Sequence, residues 1–170
     1  YYDKTGIRKA KKKFKISKNK CSKENNLILD QQMVSEVGGS PAHTAVFVDS
    51  NPDCPPAERF KIVMYGTKPK GLFLLVSADG YHFQLKSKQP LVTKGAFDSQ
   101  NLMFWDQHQG VYREYHRSFD GDVRGIMTAT SKTLQPFPEP QWIEYPGAAE
   151  QALYTNQIQP YYRAPHILVG

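Results

Sequence analysis

Asp98 and Glu150 are the two carboxylates in this chain whose places suit acid–base chemistry. One such group, kept protonated near neutral pH, gives a proton to a leaving oxygen; the other, ionised, activates water or attacks directly. Arg163 is expected to hold its carboxylate partner ionised by lowering its pKa, and His43 to support the site. Tyr154, Tyr161, Tyr162 and Trp105 offer flat apolar faces with polar tips on which a sugar ring can rest. Each residue also has a plainer reading. Asp98 precedes Ser99 and suits a turn cap, Glu150 sits in a polar stretch, His43 ends a strand, and aromatic side chains fill cores.

Other chemistries lack their motifs. The chain has no P-loop, no G-x-G-x-x-G after a strand, no H-E-x-x-H, no zinc-type Cys/His spacing and no Gly-x-Ser-x-Gly elbow. Neither a cofactor nor a metal is expected. Cys21 and Cys54 are two cysteines without a framework spacing and read as free thiols.

The residues in question must be positioned by strands. From Ala42 to Lys88 the pattern runs AHTAVFVD, a turn SNPDCPPAE, RFKIVMYG, GLFLLVSADG and YHFQLK, with Asn-Pro, Pro-Pro, Lys-Gly and Asp-Gly marking the breaks. Asp79-Gly80 is a hairpin signal, since both residues tolerate positive φ. The same order then returns as LMFWD, the turn QHQG, VYREYHR and VRGIMTATS. VFVD (46–49) aligns with MFWD (103–106), Phe60 with Tyr112 and Ser77 with Ser131, which gives a repeat of roughly 54 residues. A third copy opens at YYRAPHILVG. Asp49 and Asp106 fall at the far ends of their strands and read as turn formers, and His166 reads as packed.

A four-stranded unit at this period predicts an all-β propeller, here an incomplete set of blades in a single partial domain; the alternative is a chance repeat within a β-sandwich. Residues 1–40 hold a basic segment and the end of a preceding blade, 41–95 one blade, 96–149 the next, and 150–170 the start of another. Both termini read as cut within the pattern. In a propeller the innermost strands converge on one axis, so the openings of those strands are where a site belongs: His43, Asp98 and Arg163, with Glu150 on the approach.

Of the net charge of +6, residues 1–24 carry more than all: ten Lys/Arg stand there against Asp3 and Glu24. The block has none of the interleaved aromatics that stack bases, so it reads as a Lys-rich edge rather than a nucleic-acid surface. No apolar run is long enough to span a membrane as a helix.

FDSQNLMFWDQHQGVYREYHR, SKTLQPFPEPQWIEYPG and EQALYTNQIQPYYRAPHILVG resemble bacterial five-bladed β-propellers of the glycoside hydrolase family 32/43-like group. AHTAVFVDSNPDCPPAERFKIVMYG, GLFLLVSADGYHF and ENNLIL are similar to other parts of the same group. The resemblance implies cleavage of a glycosidic bond at the channel mouth by carboxylates from different blades, with Asp98 as one Asp member and Glu150 as the acid. His43, Arg163, Gln100, Asn101 and Tyr162 are then the expected substrate contacts. Where family 43 often shows Arg-Asp-Pro, this chain has Arg163-Ala164-Pro165. The implied partner is a carbohydrate substrate; the alternative is a non-catalytic propeller that binds a sugar or a protein. Relatives acting on carbohydrate are often exported, which would make the full-length protein secreted or periplasmic.

Overall fold

Strands rich in Val, Ile, Leu and Phe dominate the chain and pair locally into antiparallel sheets. The computed structural model describes residues 28–29, 33–149 and 151–170. The first sheet contains β1 (Ala45–Val48), β2 (Phe60–Thr67), β3 (Lys70–Ser77) and β4 (Gln84–Leu85), in that order. The second contains β5 (Leu102–Asp106), β6 (Val111–Asp120), β7 (Val123–Ser131) and β8 (Gln141–Trp142), again in chain order. A hairpin of β9 (Gln159–Tyr161) and β10 (Ala164–Val169) follows. Among the described residues there is no α-helix, no sheet closes on itself, and no helix is long and apolar enough to cross a membrane.

The register bears out the internal repeat. Val48 pairs with Phe60 and Phe60 with Ser77 in the first sheet; Trp105 pairs with Tyr112 and Tyr112 with Ser131 in the second. The anchors aligned by residue type are therefore equivalent ladder positions. β1 and β5, the opening strands, lie against one another.

Side-chain alternation explains why β3 reads as an almost unbroken apolar run, GLFLLVS. Leu72, Leu74 and Val76 pack with Val63, Phe97 and Met103 on one face, toward the second sheet. Phe73 and Leu75 pack with Ile62 and Met64 on the other face, under Val34 and Val37. A strand buried on both faces has no polar side to show. Val34 and Val37 flank a short 3-10 turn, Ser35–Val37, in the described part of the segment expected to end a preceding blade.

The expected third unit differs. YYRAPHILVG was predicted to open one inner strand at Arg163, but Tyr162 and Arg163 form the turn of the β9–β10 hairpin instead. Pro165 has no N–H to give, and the register between Ala164 and Leu168 is irregular. The Asp79-Gly80 turn forms with only Gly80 at positive φ, +78°. Asp79 instead accepts from the Ser77 hydroxyl and from the Tyr81 and His82 N–H groups.

Candidate functional site

β1 and β5 begin at the same end, and the segments leading into them are tied together there. Asn101 donates its N–H and its Nδ2 to the His43 carbonyl, both at 3.4 Å, and Nδ2 also reaches the Phe97 carbonyl at 3.2 Å. Asn101 is fully buried. It is a stitch between the two strand entries rather than an open contact for substrate.

Asp98 stands at this entry end beside Arg117 of β6. Cross-strand partners and every second residue share a face, so Arg117, Tyr115 and Ile126 lie on the face of the second sheet turned away from the first. Arg117 is buried, and each of its nitrogens donates: Nε to Asp98 Oδ1, Nη2 to the Asp98 carbonyl and Nη1 to the Tyr154 carbonyl, all at 2.9 Å. Ser99 Oγ reaches the same Tyr154 carbonyl at 3.4 Å. The Arg117 hydrogen bond holds the Asp98 carboxyl below the usual carboxylate range against a smaller opposing effect of burial, and His43 adds a weaker pull in the same direction. With its side chain 47% exposed, Asp98 is an ionised group open to solvent.

Backbone strain gathers at the same place. The non-glycine residues with left-handed φ among those described are His43 (+62°), Phe97 (+61°) and Gln157 (+50°). His43 and Phe97 supply the carbonyls that Asn101 bridges, Phe97 directly precedes Asp98, and Gln157 donates its side-chain amide to Gln100. Such conformations cost about 1–3 kcal/mol each, persist only where surroundings enforce them, and cluster at functional sites.

Aromatic surface completes the end. Tyr154 is 73% exposed and Phe119 40% exposed. The Arg117 guanidinium lies 5.4 Å from the Tyr154 ring centre and 5.9 Å from that of Phe119; Arg124, opposite Phe119 on β7, lies 5.9 and 5.8 Å from the same two rings.

The structure thus brings together Asp98, Gln100, Asn101 and His43 of the expected set. Glu150 and the basic stretch 4–23 lie outside the described residues. Tyr162 and Arg163 do not join the cluster: they occupy the hairpin tip, with the Arg163 guanidinium 5.2 Å over the Tyr162 ring. From β10, His166 approaches His108 in the β5–β6 turn, at the end of β5 remote from Asp98, with ring centres 5.9 Å apart. Trp105 is at that remote end too, edge-on to Tyr112 at 4.8 Å. The partner expected of Arg163 is supplied by Arg117. Its signal in the sequence was an arginine in a strand otherwise destined for burial, VYREYHR, which needs an acceptor wherever it folds.

Two buried polar clusters lie between the sheets. Asp49 accepts from Asn51 N–H as a turn former, and also pairs with Lys61 at 2.7 Å, both side chains fully buried. Tyr112 donates to Asp49 at 2.8 Å and accepts from Asn51 Nδ2 at 3.0 Å. Burial works against the Asp49 carboxylate, but Lys61, the Asn51 N–H and Tyr112 outweigh it and hold its pKa below the usual range. Cys54 is a free thiol 3.2 Å from Lys61 Nζ. Asp106 repeats the Asp49 pattern with Arg113 at 3.1 Å and with the His108 and Gln109 N–H groups. Glu114 and His116 form the second cluster, 2.7 Å apart and fully buried, with burial pushing the Glu114 carboxyl up. Among the described residues no group of three or more His, Cys, Asp or Glu is placed to hold a metal ion.

No protein-family model matches this chain, and neither a curated protein nor a solved structure does.

Proposed function

We propose that the two four-stranded sheets are neighbouring blades of a five-bladed β-propeller of the glycoside hydrolase 32/43-like kind, acting on a carbohydrate at the entry end. The observation that carries this reading is Asp98, kept ionised by Arg117 yet half open to solvent, beside exposed Tyr154 and among three left-handed non-glycine residues. Sequential four-stranded meanders with adjacent opening strands support the propeller architecture. An ionised carboxylate suits the base, the nucleophile or the stabiliser of a developing positive charge in glycoside cleavage. Glu150 is the proposed acid on the strength of the sequence alone. Tyr154 offers the sugar an apolar face.

The test is a glycan panel assayed with the natural full-length protein and its Asp98→Asn and Glu150→Gln variants. Each substitution is expected to lower kcat roughly a hundredfold or more. A detected hydrolysis that survives both substitutions removes the assignment.

A second reading, a non-catalytic sugar-binding propeller, is favoured by one observation: Asp98 is the single described carboxylate that Arg117 holds, with no second carboxylate bonded to it. Calorimetry separates the two, because this reading gives wild-type binding without turnover.

A further inference from the structure

We propose that the carbohydrate carries an anionic group, a carboxylate or a sulfate ester, and that Arg124 receives it. The inference rests on the carbohydrate reading above and names the class of sugar.

Two guanidinium groups share two aromatic rings at this end, yet they are not in the same state. Arg117 has Nε, Nη1 and Nη2 all engaged by protein acceptors. Arg124 has none engaged by a carboxylate. Its Nε is buried without an acceptor, and it makes no ion pair among the described residues, although Asp120 and Asp122 stand in the adjoining turn. Asp98 is bonded to Arg117 and not to Arg124, so the Arg124 guanidinium has no ion-pair partner among the described residues.

Phe119 and Tyr154 lie against the Arg124 guanidinium at 5.8 and 5.9 Å and restrict it before any ligand arrives. A carboxylate or sulfate presents two oxygens to such a planar fork, which is the arrangement that makes charge-assisted pairs strong. Beside Arg124 is a cavity of about 370 Å³ whose other walls include Val123, Ile126, Ile143, Tyr145 and Leu153. That is within the size range of small-molecule sites, roughly 300–1,000 Å³. Apolar walls with one unsatisfied cationic donor suit a sugar ring with a single charged substituent. A neutral sugar offers Arg124 only hydroxyl acceptors, whereas a carboxylate or sulfate oxygen makes a charge-assisted and stronger bond.

The probes are an oligogalacturonide, the same oligosaccharide with its carboxylates reduced to alcohols, and a sulfated galactan oligosaccharide, each titrated calorimetrically into the full chain. At least one acidic probe is expected to bind about tenfold or more tighter than the reduced one, and which of them does so distinguishes carboxylate from sulfate. Arg124→Gln should remove most of that preference, and Arg124→Lys should keep part of it by retaining charge without the fork; melting curves confirm that both variants fold. Equal affinity for acidic and reduced probes overturns the inference while leaving the carbohydrate reading intact. So does an Arg124→Gln loss that is the same for every probe. If none of the oligosaccharides binds, the inference and the carbohydrate reading fall together.

Discussion

Arg117 holds Asp98 at two points: Nε donates to the carboxylate Oδ1 and Nη2 to the carbonyl of the same residue, each at 2.9 Å. The third arm reaches Tyr154, so one side chain joins the loop before β5 to the segment before β9. Replacing Arg117 with Met should cost about 1–3 kcal/mol, since the charge pair is half exposed and the two carbonyls lose their donors. Urea unfolding measures this. A change within experimental error would show that the loop and the Tyr154 segment are held by other contacts.

Asp98 itself gives a pH signature. Its folded-state pKa is depressed, so its stabilising contribution is complete above the unfolded value of about 3.9 and is lost as pH falls through the lower folded value. The stability difference between wild type and Asp98→Asn should therefore be flat at neutral pH and shrink below about pH 4. A difference that grows on acidification would mean that the carboxyl is not held ionised.

Lys61 and Asp49 form a buried ion pair that is costly to break from one side. Lys61→Met leaves a buried carboxylate with only Asn51 and Tyr112 for support, and is expected to destabilise the fold by about 3–5 kcal/mol. Adding Asp49→Leu should recover part of that loss, because an apolar pair has no charge to strand. A double-mutant cycle in denaturant reads the coupling; simple additivity would contradict it.

Gly95 has φ +153°, and a Cβ there would come within 2.5 Å of the His116 ring. Gly95→Ala is expected to cost about 1–3 kcal/mol through overpacking, with backbone strain in addition. Thermal melts of Gly95→Ala with and without His116→Ala should show a smaller penalty in the second background. Equal penalties would place the cost in the backbone and in the Phe97 ring, 2.7 Å from the same Cβ, rather than in His116.

Much of the sheet architecture was legible before folding. β-branched and aromatic runs bounded by Asn-Pro, Pro-Pro and Asp-Gly set the strands, because local sterics and turn chemistry act within a few residues. The repeat was legible for a related reason: equivalent ladder positions put similar demands on Phe60 and Tyr112, or on Ser77 and Ser131. The repeat points to Asp98 and His43, since both stand in the segments leading into the opening strands β5 and β1 of the two sheets.

Their partners were decided elsewhere. Arg117 meets Asp98 only because β6 returns antiparallel beside β5, and Tyr154 meets Arg117 only because a later segment crosses the outer face of the second sheet. The place of Arg163 in the pattern points to the site, yet the residue turns a hairpin, because Ala164–Val169 pairs back onto Gln159–Tyr161. Propensity and period set most of the strands and turns of the two four-stranded sheets, but not the turn at Tyr162 and Arg163. Which charged side chains then meet depends on sheet order, face and burial, since a buried charge must find its partner in space, however far away that partner lies along the chain.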